Sequence, residues 1–256
     1  MTVPAPSPPR RLTTEAEILA LHRDVLEPSF PPAELIAPDE LWREVERGTL
    51  EVLGTVDEAE DGTVAHAVSG VVSAWFPEEQ VLLVVYLAIA PGHRGAGVGG
   101  ALLGAALDAW SASHRPLAIL AEVEHPAHHT ASETHGDPTA RVRFYARHGG
   151  KALALPYFQP GDGPGGERVP ALMLVALRSA DRTALPAPPL RAFLVRWLTA
   201  SEGSTADDAA TRRLLDAAAG TDVALVGLDA VDQLPVGTLT GSEASAPSSA
   251  GADGSR

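Results

Sequence analysis

The residues with the most chemical content lie in one short turn. Arg94-Gly95-Ala96-Gly97-Val98-Gly99-Gly100 separates an unbroken apolar run, Val81 to Ala90, from a helix-compatible run reaching about Ala112. In a strand–turn–helix of this kind, successive backbone N–H groups point outward at the positive end of the helix dipole, which suits a phosphate. Glycines let a ligand approach the backbone closely, and Arg94 adds a charge-assisted contact. Three cofactor classes use this architecture. A nucleotide P-loop needs a Gly-Lys-Ser/Thr ending, and here Gly99 is followed by Gly100 and Ala101, so that reading fails. A dinucleotide unit places an acidic residue about twenty residues on, at a strand tip. Glu122 has roughly that offset but sits inside a strand pattern, and several strands precede the turn. The third class is coenzyme A, whose pyrophosphate takes the same kind of seat.

Two carboxylates follow at alternate positions, Glu122 and Glu124. At the end of a buried strand, desolvation raises a carboxyl pKa toward the range useful to a general base. His125, His128, His129 and His135 then crowd a polar loop, His125 to Pro138. Imidazoles are good metal ligands, but with no cysteine and no ligands fixed on a helix face, no metal is expected; a lid or a solvated loop is. The absence of cysteine excludes disulfides, thiolate zinc sites and a cysteine nucleophile. A net charge of −14 argues against nucleic acid and mildly favours a cationic or amine substrate.

The elements that must hold these residues can be read from periodicity. Residues 1–10 read as a flexible proline-rich lead-in. A capping-box pattern at Thr14 and Glu17 opens a helix ended by Pro28, Pro31 and Pro32, and a second helix runs from near Pro38 to Gly48. Thr49 to Val56, Thr63 to Phe76 (with Gly70 as a bulge candidate) and Gln80 to Ala90 read as strands. Leu117 to Val123, Lys151 to Leu155 and Ala171 to Leu177 complete the set, with a helix at Ala140 to His148. Beyond residue 180, Leu190 to Leu198 and Ala206 to Ala218 read as amphipathic helices. The expected division is therefore 1–10 lead-in, 11–180 main domain, 181–234 small helical extension and 235–256 disordered tail. The longest apolar run is too short to span a bilayer, and the N-terminus lacks a signal-peptide core, so the expected location is cytoplasmic.

The run Leu87-Ala88-Ile89-Ala90-Pro91-Gly92-His93-Arg94-Gly95-Ala96-Gly97-Val98-Gly99 resembles motif A of the GNAT acetyltransferases. Arg143-Phe144-Tyr145-Ala146-Arg147-His148-Gly149 resembles that family's later Phe-Tyr helix. The resemblance extends over some two-thirds of the chain in element order. It implies an α/β (α+β) fold: a central mixed, mostly antiparallel twisted sheet, its fourth and fifth strands splayed, flanked by helices. It implies acetyl-CoA as donor, its pantetheine arm bound by the backbone of Leu87, Ala88 and Ile89 and its pyrophosphate by Arg94, Gly95, Ala96, Gly97, Val98, Gly99 and Gly100. One N–H of that strand would act as oxyanion donor. Glu122 matches a position that often serves as base, with Glu124 competing, and Tyr145 matches the usual general acid. His125 would be placed to relay a proton, and Tyr157 and Gln159 to touch the acceptor. The function implied is N-acetylation of a primary amine by direct attack in a ternary complex, with a small molecule rather than a protein as substrate, no nucleic acid or membrane partner, and a homodimer among the expectations. A non-catalytic acyl-CoA-binding regulatory module, or transfer of another acyl group or to a hydroxyl, stays open. The family's asparagine seven residues before the tyrosine is Pro138 here, its Gly-Phe is Gly149-Gly150, and a long insertion separates Glu122 from Tyr145.

Overall fold

The computed structural model describes residues 7–95, 97–132, 136–181 and 183–239. Helix α1 (Glu15–Leu21) starts on the capping box: the Thr14 hydroxyl accepts from the Glu17 amide, and the Glu17 carboxylate accepts from the Thr14 amide. It runs on into a wider turn, His22–Leu26. Helix α2 (Pro38–Arg47) opens on proline and closes at Gly48, in the left-handed conformation that glycine accepts without strain.

Nine described strands form one sheet. They are β1 (Arg10–Arg11), β2 (Leu50–Glu58), β3 (Val64–Phe76), β4 (Val81–Ile89), β5 (Ala118–Glu124), β6 (Lys151–Leu153), β7 (Leu172–Ser179), β8 (Ala184–Pro186) and β9 (Asp222–Gly227). Their order is β1-β2-β3-β4-β5-β7-β6-β9-β8. Every neighbouring pair is antiparallel except β4 and β5, which helix α3 (Val98–His114) connects. Helix α4 (Pro138–Arg147) joins α3 on one face, over a core containing Leu82, Leu102, Leu107, Trp110, Val123 and Val142. The other face has two coverings. Helices α1 and α2 bury β2, β3 and the far end of β4; α5 (Ala187–Glu202) and α6 (Ala209–Ala217) bury the near end of β4 with β5, β7 and β9.

The parallel pair sets up the site. Pairing joins Val81–Val84 to Ala118–Ala121 and stops, while β4 continues to Ile89 and β5 to Glu124. The expected splay is present. Opposite β3 the register slips by one, Val72 facing Tyr86 and Ser73 facing Val84, so that Val85 is an extra residue. Such a bulge bends and twists its strand. It also resets the alternation, keeping Tyr86, Ala88 and Ala90 on the face of Val81 and Leu83, with Leu87 and Ile89 on the face of Leu82 and Val84. Gly70, read as a bulge candidate, lies in regular register; a Cβ there would sit 2.2 Å from Leu21 Cδ1, so its role is to leave room for that side chain.

Three boundary expectations are corrected. Arg10 belongs to β1, and the Ser7 carbonyl accepts from the Thr55 hydroxyl, so the described part of the lead-in is attached to the sheet; residues 1–6 lie outside the described residues. The segment 181–234 is not simply helical, because β8 and β9 extend the sheet beside β6. The start of the supposed tail is docked: the Ala171 amide donates to the Gly237 carbonyl, and Arg213 to the Thr238 carbonyl. Residues 240–256 lie outside the described residues. Among those described, no helix is long and apolar enough to cross a membrane.

Candidate active site

The glycine turn leads from the parted end of β4 to the start of α3. Gly97 is the N-cap residue at φ 79°, left-handed like Gly92 and Gly95, and no side chain caps the helix or carries negative charge in its first turn. The first backbone bond of the helix runs from Ala101 N to Gly97 O. The amides of Val98, Gly99 and Gly100 are therefore the N-terminal donors that a helix leaves without an intrahelical partner, at the end where its dipole favours an anion. Arg94 bends back over the turn, donating to the Ile89 carbonyl at 3.3 Å and to Ser29 Oγ at 3.4 Å. Ala96 lies outside the described residues. The last two glycines have a different use: Gly99 packs against Phe144, and a Cβ on Gly100 would come 2.9 Å from His148 Nε2. Of the two, it is Gly100 that lets α4 lie close to the start of α3.

Leu87, Ala88 and Ile89 form the parted end of β4, paired to β3 on one edge and unpaired toward β5. That free edge offers the main-chain donors and acceptors an extended ligand arm needs. Tyr145, on α4, packs into the cluster that also holds Val123, Leu87 and Ile89. It thus sits at the parting, on the α3 side. Its hydroxyl has no hydrogen-bond partner among the described residues, and burial holds its pKa above the ordinary tyrosine value, with Arg141 pulling the other way.

Glu122 points to the opposite face. The residue as a whole is half-buried, and three donors converge on its carboxylate. Tyr157 Oη lies 2.5 Å from Oε1, Trp197 Nε1 3.3 Å from Oε1, and Gln159 Nε2 3.4 Å from Oε2. The Trp197 N–H is shared, being 3.1 Å from Tyr157 Oη. Desolvation is the largest influence on Glu122 and raises its pKa; the three hydrogen bonds oppose it. Tyr157 is buried, and burial plus the neighbouring negative charge push its pKa well above the usual phenol range. The proton of the pair therefore stays on Tyr157, and Glu122 accepts. Tyr157 and Gln159, expected to touch acceptor, are found holding this carboxylate.

The remaining sequence candidates separate from it. Glu124 binds Arg141 at 2.9 Å and approaches His129 Nδ1 at 3.9 Å. Glu122 makes no such ion pair among the described residues, which distinguishes the two carboxylates. His125 corrects the relay expectation: it is buried, its Nδ1 accepts from the Ala127 amide, and its Nε2 donates to the Val231 carbonyl. With both nitrogens engaged it anchors the loop. His129 likewise reaches the Pro170 carbonyl, and no group of three or more metal-binding side chains converges among the described residues; His135 lies outside them. Trp197 was missed, since its stretch reads only as an amphipathic helix.

Comparison with known proteins adds a likeness over part of the chain. Residues 56–149 match the family model described as an acetyltransferase (GNAT) domain. No curated protein matches in sequence. Among solved structures, the chain is similar to a Bacteroides thetaiotaomicron protein assigned to the GNAT family, with 21% identity over 68% of this chain and 89% of that one at a TM-score of 0.49. A GNAT-assigned protein from Desulfovibrio desulfuricans matches at 17% identity, covering 66% and 98%, with a TM-score of 0.44. Arabidopsis thaliana NAA60 in complex with acetyl-CoA matches at 14% identity, covering 65% and 96%, with a TM-score of 0.44.

Proposed function

We propose, from the match of residues 56–149 to an acetyltransferase (GNAT) domain, that the chain is an acetyl-CoA-dependent N-acetyltransferase acting on a small primary amine. The observation that carries the reading is the parted end of β4 and β5, which opens beside an uncapped helix N-terminus with Glu122 on one face and Tyr145 on the other. The residues fit the donor: the amides of Val98 to Gly100 and the Arg94 guanidinium suit a pyrophosphate, and the free edge of Leu87 to Ile89 suits an amide-bearing arm.

In the proposed reaction, Glu122 takes a proton from the ammonium group, directly or through one water, and frees the nitrogen lone pair. The amine then attacks the thioester carbonyl. Its carbon gains a C–N bond and loses the C–S bond, a backbone N–H of the parted β4 edge stabilising the developing oxyanion. Tyr145 supplies a proton to the departing thiolate and is reprotonated by the second proton that the nitrogen sheds as the amide forms, while Glu122 returns the first proton to solvent. Burial suits both roles, because it makes Glu122 a stronger base and keeps Tyr145 protonated at neutral pH.

The test is a free-thiol assay with acetyl-CoA and a panel of amines. Amine-dependent CoA release is expected, with Tyr145→Phe lowering kcat about 10²-fold and leaving acetyl-CoA affinity within a few-fold. CoA binding with no release that any amine accelerates would identify a binding module instead. An unchanged kcat in Tyr145→Phe would remove the acid role.

A further inference from the structure

We propose that Trp197 is a positioning residue for the base, so that α5, outside the family-matched residues 56–149, is part of the active site. The proposal rests on the acetyl-transfer reading and deepens it. Its basis is geometric. The indole N–H points between two oxygens, Tyr157 Oη at 3.1 Å and Glu122 Oε1 at 3.3 Å, and Tyr157 Oη is itself 2.5 Å from the same carboxylate oxygen. Three residues from β5, from the segment after β6 and from α5 thus close a triangle on one carboxylate oxygen. Gln159 holds the other oxygen.

The indole is fixed in turn. It meets Phe76 edge-on at 6.3 Å between ring centres, and its neighbours in α5, Phe193, Leu194 and Leu198, are fully buried. At the C-terminal end of α5, Glu202 pairs with both Arg168 Nε and Nη2 and accepts from the Gly161 amide. Arg168 also lies over the Phe158 ring at 4.6 Å. The helix and the segment carrying Tyr157 and Gln159 are therefore tied together beyond the site.

Without the indole N–H, Tyr157 Oη would lose the group that orients it and the Glu122 carboxylate one of its three donors. The ionised form of Glu122 would be less favoured and its carboxylate freer to rotate, which matters because proton transfer depends on a fixed donor–acceptor geometry. The titratable group facing Glu122 is Tyr157. The nearby charged side chains are engaged elsewhere: Arg196 of α5 with Glu78 and Glu79, and Glu124 of β5 with Arg141 and His129.

Two measurements decide it. In the acetyl-transfer assay, Trp197→Phe should move the acidic limb of the kcat/KM–pH profile upward by about one unit, the low end of what loss of a hydrogen bond to a charged acceptor implies because the N–H is shared, with KM for acetyl-CoA unchanged. In the unsubstituted protein, one of the four tryptophan indole signals in a ¹⁵N–¹H NMR titration should follow the Glu122 carboxyl and lose that pH dependence in Glu122→Gln. The second measurement needs neither an identified amine nor a stable Trp197 variant. An acidic limb that stays in place while Tm falls, or four indole signals indifferent to Glu122, would reduce Trp197 to core packing and overturn the proposal. A protein that acetylates no amine while one indole still follows Glu122 would sink the transfer reading and leave the Trp197–Glu122 contact standing.

Discussion

A carboxylate becomes a useful base when its surroundings make ionisation costly without preventing it. At Glu122 burial raises the pKa and three neutral donors restrain the rise. This has a consequence for stability whose sign can be worked out. Between the ordinary carboxyl value of 4.5 and the raised folded value, folded Glu122 retains a proton that the unfolded chain has released. Stability from this group is fully present below the ordinary value and declines as pH rises through the folded one. Glu122→Gln cannot ionise, so its thermal unfolding relative to wild type should improve as pH rises across that window. A pH-independent Tm difference would show that Glu122 does not carry a raised pKa. The same variant should lose about 10²-fold or more in kcat. The base role proposed for Glu122 comes from family position, and what separates it from Glu124 is the ion pair that Glu124 makes with Arg141. Trp197 left no mark in the sequence: a tryptophan on an amphipathic helix is usually core, and only the fold brings its N–H to a residue 75 positions away.

Long elements with a clear period were legible; elements held only by their neighbours were not. The strands at Leu50–Glu58, Val64–Phe76 and Val81–Ile89 and the helix ending at Gly48 carry their own patterns. The two residues of β1 and three of β8 are too short to have a period, and they are strands only because β2 and β9 offer unpaired edges. The bulge at Val85 was equally silent, since an unbroken apolar run hides a change of face. At the start of α3 the sequence presents neighbouring glycines that read alike, yet the structure separates them. Gly99→Ala would place its Cβ in ordinary contact, 3.7 Å from Phe144, and should leave Tm unchanged or raise it through helix propensity. Gly100→Ala would meet His148 Nε2 at 2.9 Å, a ring already held by the Phe144 carbonyl through Nδ1. It should lower Tm by several degrees, about 1–3 kcal/mol of overpacking. Equal Tm values in the two variants, read by differential scanning calorimetry, would contradict the α3–α4 packing described.

At the scale of the whole molecule, the C-terminal third decides whether the main domain can exist alone. The main domain was expected to end near residue 180, and a chain ending at Ser179 would retain β1 to β7, the glycine turn, Glu122 and Tyr145. It would lose α5, whose Leu190, Phe193, Leu194 and Leu198 are at most 1% exposed and cover Leu120, Leu153, Phe158 and Leu174. Those four α5 side chains alone account for roughly 6–12 kcal/mol of burial, at about 1.5–3 kcal/mol each. That is comparable to the entire net stability of an ordinary domain, about 5–15 kcal/mol. It would also lose β9, which covers the outer edge of β6. Residues 1–179 should therefore collapse without fixed packing, keeping far-UV circular dichroism while losing the near-UV signal and binding the dye ANS. A truncated chain that unfolds cooperatively at the wild-type temperature would mean that α5 merely rests on a finished domain. The outcome expected here places completion of the fold in the helix that also carries Trp197, so a change in α5 that loosened its packing would disturb the proposed alignment of Glu122 as well.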